Sequence, residues 1–325
     1  MNRFHSLALA ALSALSILAA EKPEILSVQK IWDTAPHNAF TDLIRYQDQW
    51  LCAFREGKGH VSDDGTIRIL SSRDTTNWQS WAQIQKVNVD LRDPKISITP
   101  NGELLLTTAG ADRKGGQKPV PHSSLAGLTR NGKEWSNPVR IGDPNMWLWR
   151  VTWHKGIAYS VGYDTAGEKF ARLYTSKDGR KFETLIPSFF SEGYPNESGM
   201  TFLADDTALC LLRRDGESAN GLLGRAKPPY KEWTWQDVGA KIGGPALIQL
   251  PDGRLIAGVR LYDKQVRTSI VEIDGTTGKL TELLALPSGG DNSYPGLVWH
   301  EGMLFVSYYS SHEAKSSIYL ARLKL

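Results

Sequence analysis

The stretch LPDGRLIAGV (Leu250 to Val259) contains the end of one strand, a tight turn built on Asp and Gly, and a second apolar strand. Asp-Gly between two apolar runs is a strong hairpin signal. The phrase recurs in varied form at intervals of roughly 50 residues, a period typical of propeller blades. The other copies are YQDQWLCAF (Tyr46 to Phe54), TPNGELLLT (Thr99 to Thr107), WHKGIAYSV (Trp153 to Val161), LADDTALCLL (Leu203 to Leu212) and WHEGMLFVS (Trp299 to Ser307).

A second phrase follows three of these hairpins. In it a hydroxyl residue stands two positions before Asp or Asn, and an aromatic residue comes four positions later. The polar side chain can cap its own turn while the aromatic ring packs into the sheet below. With the six-fold period, these turns predict an all-β, six-bladed β-propeller. The three copies are SSRDTTNW (Ser71 to Trp78), TRNGKEW (Thr129 to Trp135) and TSKDGRKF (Thr175 to Phe182).

The two ends of the chain predict how the ring of blades closes. The last repeat ends in SSIYLARLKL (Ser316 to Leu325), whereas EILSVQKIW (Glu24 to Trp32) is a strand without a hairpin partner. Pairing the N-terminal strand onto the last blade removes two open sheet edges at once. We therefore expect residues 21–325 to form a single propeller domain that is monomeric.

The first twenty residues have the features of a secretory signal peptide. Arg3 precedes an apolar run, Leu7 to Ala20, that is short for a membrane span and ends in small residues. We expect cleavage near Glu21, which removes residues 1–20 and leaves no membrane span; because Leu18 stands where a small residue is preferred, an uncleaved anchor is the alternative. The protein is then predicted to be secreted or periplasmic.

Composition narrows the classes of function. The 325 residues are 41% hydrophobic and 22% charged, and the net charge of +3 is spread without blocks, which gives no indication of nucleic-acid binding. Cys52 and Cys210 each lie inside an apolar run, so buried free thiols are favoured, although an oxidising compartment permits a disulfide. Metal-ligand spacings such as CxxC and HExxH do not occur, and no bound metal is predicted.

Polar residues cluster where the repeats approach the axis of the propeller. The first strand of each blade starts near the central channel, and the loop after the second strand returns to the same face. Arginines grouped with carboxylates in such a funnel predict an anionic ligand, since a guanidinium binds a carboxylate through two hydrogen bonds. The strand starts carry Asp42, Arg92, Asp93, Arg150, Asn196, Glu197 and Tyr294, and the returning loops carry Arg55, Glu56, Asp112, Arg113, Asp164, Arg213, Arg214, Arg260, Ser310, His312 and Glu313.

Three segments in the second half resemble a known family. YPNESGMTFLADDTALCLLRRDG (Tyr194 to Gly216), GVRLYD (Gly258 to Asp263) and NSYPGL (Asn292 to Leu297) present Glu, Arg, Arg and Tyr in that order. This order and spacing resemble the sialidases (neuraminidases), six-bladed propellers with Asp-box turns. The turns here are one residue shorter than the usual Asp-box, so the chain resembles a divergent member.

The resemblance implies an exo-acting glycoside hydrolase that releases terminal sialic acid or a related acidic sugar without a cofactor. Tyr294 would be the nucleophile, Glu197 the base that takes its proton, and Asp63, preferred over Asp64, the acid/base. A tyrosine suits a sialoside, because the carboxylate at the anomeric carbon repels a carboxylate nucleophile; tyrosine is a known exception to the two-carboxylate rule of glycosidases.

The resemblance also implies a clamp of arginines around the substrate carboxylate. Arg260 and either Arg213 or Arg214 would belong to it. Neighbouring residues of a strand point to opposite faces, so only one of the adjacent arginines can face the site. Arg214 is preferred here.

The first blade departs from the family. Sialidases begin it with Phe-Arg-Ile-Pro, whereas this chain has Phe40-Thr41-Asp42-Leu43 and lacks the first arginine of the clamp. Arg55, Arg92 and Arg150 are the candidates to supply the missing charge. Asp93 either caps its strand or faces the ligand.

Other functions fit the same residues. One is a different carbohydrate-active propeller, a hydrolase acting on another sugar or a polysaccharide lyase acting on a uronate with His312 and Tyr294 as base and acid. A second is a propeller that binds glycans without catalysis. A Tyr294 hydroxyl within hydrogen-bond distance of Glu197 would favour an enzyme.

Overall fold

A computed structural model describes residues 22–113, 120 and 122–325 of the chain. In this part of the chain, 24 strands form six four-stranded antiparallel sheets. The all-β, six-bladed propeller is therefore confirmed. The predicted signal peptide, residues 1–20, lies outside the described residues. No helix within the described ranges is long and apolar enough to cross a membrane.

Five blades use four consecutive strands each, beginning with the innermost. Blade 1 contains β2 (His37–Tyr46), β3 (Gln49–Gly57), β4 (Thr66–Ser72) and β5 (Gln79–Ile84). Blade 2 contains β6 (Val89–Ile98), β7 (Leu104–Asp112), β8 (His122–Thr129) and β9 (Val139–Ile141). Blade 3 contains β10 (Met146–His154), β11 (Ile157–Asp164), β12 (Ala171–Ser176) and β13 (Glu183–Phe190). Blade 4 contains β14 (Pro195–Phe202), β15 (Ala208–Arg214), β16 (Leu222–Ala226) and β17 (Thr234–Asp237). Blade 5 contains β18 (Ile242–Gln249), β19 (Leu255–Leu261), β20 (Arg267–Ile273) and β21 (Leu280–Ala285).

The sixth blade joins the two ends of the chain. It contains β22 (Asn292–His300), β23 (Met303–Ser310) and β24 (Ser317–Lys324), and its outer strand is β1 (Glu24–Trp32). β1 runs antiparallel to β24, with Glu24 opposite Lys324 and Val28 opposite Ala321. The predicted closure by the N-terminal strand is confirmed, and it removes the free edge of the last blade.

The turns predicted from the two repeated phrases are also present in the structure. The hairpin phrases form the turns between the first and second strands of every blade, and the second phrase forms the turn between the third and fourth strands of blades 1 to 3. In blade 3, Asp178 Oδ1 accepts hydrogen bonds from the backbone N–H groups of Arg180 and Lys181 at 2.8 and 3.0 Å. Phe182 then packs into the core, so the polar residue caps the turn and the aromatic residue anchors it.

The core lies between neighbouring blades. Leu209 and Leu211 of β15, for example, pack against Ala257 and Val259 of β19, and all four side chains are buried. Such contacts between sheet faces supply most of the apolar burial that stabilises the ring. Cys52 and Cys210 are both buried and free, as the apolar runs around them predicted.

A β-bulge interrupts the first strand of every blade at the same position. At each bulge two residues of the first strand lie opposite one residue of the second. Bulges re-aim side chains and are frequent beside active sites. The six bulged pairs begin at Phe40, Asp93, Trp149, Asn196, Gly244 and Tyr294.

Candidate active site

The bulges of blades 1, 2, 4 and 6 line a cavity of about 480 Å³ at one end of the propeller axis. Five of the six blades contribute side chains to its wall. Phe40, Asp93 and Tyr294 in this wall have left-handed backbone, with φ of 63°, 48° and 52°. Strained backbone of this kind costs about 1–3 kcal/mol per residue and concentrates at functional sites. The wall includes Phe40, Asp93, Trp147, Glu197, Arg213 and Tyr294.

Tyr294 and Glu197 meet at the base of this cavity. The Tyr294 hydroxyl donates a hydrogen bond to Glu197 Oε1 at 2.7 Å. The other carboxylate oxygen, Oε2, accepts the backbone N–H of Gly244 at 2.8 Å. Gly244 has φ +55° and stands against the Tyr294 ring, where a Cβ would come within 2.9 Å of Cγ of that ring. A larger residue at this bulge would therefore displace the phenol from the carboxylate.

Arg213 holds the pair in place. Its Nη1 lies 2.6 Å from Glu197 Oε2 and 2.9 Å from the Tyr294 hydroxyl, while its Nε donates to Asp215 Oδ1 at 2.9 Å. The structure differs here from the preference for Arg214. The bulge in β14 places Arg213 opposite Asn196 and Glu197 and turns Arg214 outward, to the backbone carbonyl of Asn220.

The protonation states follow from this environment. Burial opposes ionisation of Glu197, but Arg213, the Tyr294 hydroxyl and the Gly244 N–H together lower the pKa of Glu197 below its ordinary value. Burial and the neighbouring Glu197 charge raise the pKa of Tyr294 well above 10. The resting pair is thus a neutral phenol donating to a carboxylate, the arrangement needed for a tyrosine activated by a base.

Asp93 supplies a second carboxyl group to the cavity. Its side chain is 4% exposed, and Oδ1 has no hydrogen-bond partner among the described residues. Burial raises the pKa of Asp93 to about 6, although the charges of Arg92 and Lys95 oppose the shift. Its other oxygen, Oδ2, lies 3.8 Å from Arg92 Nε. A carboxyl group with a raised pKa and one free oxygen, in the wall of a cavity, has the properties of a general acid.

Arginines of the first two blades converge on one buried carboxylate, Asp90. Arg55 and Arg113 donate to Asp90 at 2.8 and 3.0 Å, and Arg92 Nη1 lies 3.4 Å from it. Arg92 and Arg113 line the cavity, and the Arg92 guanidinium lies over the Phe40 ring, 5.0 Å from its centroid. Arg55 is fully buried and does not line the cavity.

The remaining predicted residues lie around the site but do not line the cavity. Arg260 lies over the Tyr294 ring, 5.1 Å from its centroid, and donates to the carbonyl of Asn292 at 2.9 Å. Arg150 pairs with Asp42 at 2.7 Å deeper along the axis.

Two further predicted residues stand away from the cavity wall. Asp63 is exposed on the loop between β3 and β4 and does not line the cavity. His312 contacts the Ser310 hydroxyl, 2.9 Å from its Nδ1, and does not line the cavity either.

The clamp position of the first blade is filled differently from the family pattern. Thr41 stands where the sialidase arginine is expected, and its hydroxyl donates to the backbone carbonyl of Tyr294 at 2.9 Å. Asp42 is buried and accepts the backbone N–H of Ile96 at 2.9 Å. Both residues therefore support the bulges of neighbouring blades, and neither provides a positive charge.

Sequence reasoning missed several residues of the wall. His60 lies on the β3–β4 loop, and Tyr163 lies near the end of β11. Asp215 directly follows the arginine pair of blade 4, where its proximity to Arg213 was the one available signal. His60 and Tyr163 carried no pattern that distinguishes them from ordinary loop and strand residues.

No known protein family's sequence profile matches the chain. No curated protein matches its sequence. Solved structures do share its fold. A Dyadobacter fermentans protein of unknown function superposes with a TM-score of 0.83 at 18% identity, over 94% of this chain and 99% of that one.

Two glycosidase structures are also similar. The alpha-L-arabinofuranosidase of Fusarium graminearum gives a TM-score of 0.73 at 12% identity, over 92% of this chain and 97% of that one. The sialidase of Trypanosoma rangeli gives 0.68 at 11% identity, over 94% of this chain and 60% of that longer one. At these identities the likeness establishes a shared six-bladed propeller fold.

Proposed function

We propose that this protein is an exo-acting glycoside hydrolase that releases a terminal sialic acid or a related acidic sugar. The observation that carries the proposal is the 2.7 Å hydrogen bond from the Tyr294 hydroxyl to Glu197, inside a cavity large enough for one sugar ring. A phenol buried for packing alone does not require an ionised carboxylate as its partner.

The chemistry proceeds by two displacements. The Tyr294 oxygen attacks the anomeric carbon and passes its proton to Glu197, while Asp93 protonates the departing oxygen. Water then attacks the anomeric carbon and its bond to the Tyr294 oxygen breaks; Asp93 takes a proton from this water, and Glu197 returns its proton to the departing phenolate. Each residue ends in its starting state, so the cycle needs no cofactor. Asp93 takes the role first assigned to Asp63, because it lines the cavity, has a raised pKa and keeps one carboxyl oxygen free of hydrogen bonds among the described residues.

The arginines of the cavity wall support an acidic substrate. Arg92, Arg113 and Arg213 all line the wall. Arg213 touches both members of the Tyr–Glu pair and is therefore beside the reacting carbon. A guanidinium at this place would bind a carboxylate at the anomeric centre.

One observation favours a second candidate, a hydrolase for a neutral sugar such as an arabinoside. Each wall arginine already pairs with a carboxylate, Arg92 and Arg113 with Asp90 and Arg213 with Glu197. The first-blade arginine of the sialidase clamp is replaced by Thr41. A site with its arginines engaged in this way offers less binding energy to a substrate carboxylate. The likeness to the Fusarium arabinofuranosidase agrees with this alternative.

A fluorogenic glycoside screen tests the proposal. Wild type, Tyr294→Phe and the control Tyr159→Phe, which removes a phenol of blade 3 far from the cavity, are assayed with 4-methylumbelliferyl sialoside, uronide and arabinofuranoside. We expect sialoside hydrolysis that Tyr294→Phe lowers at least 1000-fold and Tyr159→Phe leaves unchanged, because only Tyr294 provides the attacking oxygen.

The other outcomes separate the alternatives. Arabinoside turnover that depends on Tyr294 selects the neutral-sugar candidate, and an unsaturated uronide product selects a lyase. Sialoside turnover that survives Tyr294→Phe contradicts the mechanism. Glycan binding without turnover of any substrate selects the non-catalytic propeller.

A further inference from the structure

Beside the cavity, three side chains meet that the Tyr–Glu chemistry does not use. His37 begins β2, His60 lies on the β3–β4 loop, and Asp291 directly precedes β22. His37 Nε2 and His60 Nδ1 lie 3.1 and 2.6 Å from the same carboxylate oxygen, Asp291 Oδ2. One donor atom from each residue lies within 4.8 Å of the other two. The three residues form what we term the His–His–Asp cluster.

The donor set selects a class of ion. Two imidazole nitrogens and one carboxylate oxygen are ligands typical of zinc and its divalent neighbours in the first transition row, whereas Ca²⁺ and Mg²⁺ prefer sites made of oxygen. The two ring nitrogens that hydrogen-bond to Asp291 Oδ2 can lose their protons and, together with that oxygen, bind a cation that replaces the hydrogen bonds.

Two further residues fix the orientation of the Asp291 carboxylate. Asp291 Oδ1 accepts the Tyr309 hydroxyl at 2.7 Å and lies 3.3 Å from Arg260 Nη2. These partners engage the oxygen that faces away from the imidazoles and leave Oδ2 directed at them. Partners of this kind orient a metal-binding carboxylate and are part of most metal sites.

Access to the cluster is suitable for an exchangeable ion. The side chains of His37, Asp291 and His60 are 11%, 27% and 49% exposed, so an ion can enter from solvent. His60 also lines the cavity. Three protein ligands leave at least one position of a tetrahedral ion for water or for an oxygen of a molecule bound in the cavity.

We propose that His37, His60 and Asp291 form a binding site for a divalent transition metal of the zinc class at the edge of the cavity. The site joins blade 1 to blade 6, where the ring closes. Metal binding therefore stabilises the closed ring as well as presenting an electrophile to the cavity. The three ligands stand far apart in sequence, which is why motif spacing did not reveal them.

Metal titration of the full chain tests the site independently of any enzymatic activity. The protein is stripped with EDTA and titrated with ZnCl₂ by calorimetry, and Co²⁺ is added to a second sample as a spectroscopic probe. We expect one Zn²⁺ per chain with micromolar or tighter Kd, a rise in Tm on binding, and visible Co²⁺ bands typical of nitrogen and oxygen ligands.

Variants locate the site. His60→Ala changes an exposed loop residue, and Asp291→Asn keeps the side-chain volume; each is expected to weaken Zn²⁺ binding at least 100-fold. His122→Ala, another histidine of the cavity wall, is the matched control and should bind Zn²⁺ like wild type. Absence of Zn²⁺ binding below 1 mM, or binding that His60→Ala and Asp291→Asn leave unchanged, overturns the proposal, and the cluster is then a hydrogen-bonded support for the β3–β4 loop.

Discussion

Removing Arg213 should destabilise the protein through the carboxylate it leaves behind. The Glu197 side chain is 9% exposed in wild type, and Arg213→Met removes the guanidinium 2.6 Å from its Oε2. Breaking one partner from a buried ion pair costs about 3–5 kcal/mol, because the remaining charge is buried without compensation. Arg254→Met is the control, since Arg254 and Asp252 form an exposed pair worth about 0–1 kcal/mol.

The measurement is the free energy of unfolding from guanidinium titrations at pH 7 and pH 4. In wild type the pKa of Glu197 is lowered, so its contribution to stability is present above the unfolded pKa and is lost as pH falls. In Arg213→Met only the hydrogen bonds from the Tyr294 hydroxyl and the Gly244 N–H still oppose burial. We expect burial to outweigh them and raise that pKa, so the sign reverses and the variant regains stability towards pH 4.

A second substitution tests whether the buried charge of Glu197 causes the loss of stability. Arg213→Met with Glu197→Gln has no buried charge at this position, and it should be more stable at pH 7 than Arg213→Met alone by about 2–3 kcal/mol. If Arg213→Met loses no more stability than Arg254→Met, or if the double variant is the less stable of the two, the assignment of a buried ionised Glu197 is refuted.

Two further predictions concern other residues. Asp93→Asn should remove the limb of the pH–activity profile near 6, because activity requires the protonated acid and wild type loses it as pH rises through about 6. Because the pKa of Asp93 is raised in the folded state, wild type should lose stability as pH rises towards 6, and Asp93→Asn should not show this loss. A pH–activity profile that Asp93→Asn leaves unchanged would exclude Asp93 as the acid. Asp178→Ala should lower the free energy of unfolding by about 1–2 kcal/mol, because two backbone N–H groups lose their acceptor. Glu183→Ala, on an exposed side chain nearby, should change it by less than about 0.5 kcal/mol; equal losses would show that the Asp178 cap contributes nothing.

The fold was predictable because its signals are local. A hairpin phrase such as LPDGRLIAGV specifies a turn between two strands without reference to the rest of the chain, and Asp178 caps its turn through residues two and three positions away. Repeated six times, these signals determine the number of blades. The pairing of β1 with β24 followed from counting strands that lacked a partner.

The site was predictable only in part, because its details depend on bulges. Alternation along β15 showed that one of two arginines faces the axis, but the bulge in β14 decided that it is Arg213. The position of Arg55 after the second strand of blade 1 predicted that it would face the central cavity. Instead its guanidinium packs against Gly57 and Gly65 and pairs with Asp90, in space that side chains at the two glycines would fill. No pattern in the sequence marks these placements.

The cluster of His37, His60 and Asp291 shows a second reason why the sequence did not predict every site residue. Its members come from a strand, a loop and the residue before another strand, and the closure of the ring brings them together. Contacts across the closing seam join residues of blade 1 and blade 6 that are distant in sequence. Local spacing carries no information about such contacts.

Mass spectrometry of a trapped intermediate tests whether Tyr294 is the nucleophile of a glycosidase. The protein is incubated with 2,3-difluorosialic acid and, separately, with a 2-fluoro-arabinofuranosyl fluoride, and its peptides are mapped. We expect a glycosyl adduct on the peptide that contains Tyr294, with one of the two reagents, and no adduct in Tyr294→Phe. An adduct on Glu197 or Asp93, or an equal adduct in Tyr294→Phe, would contradict it.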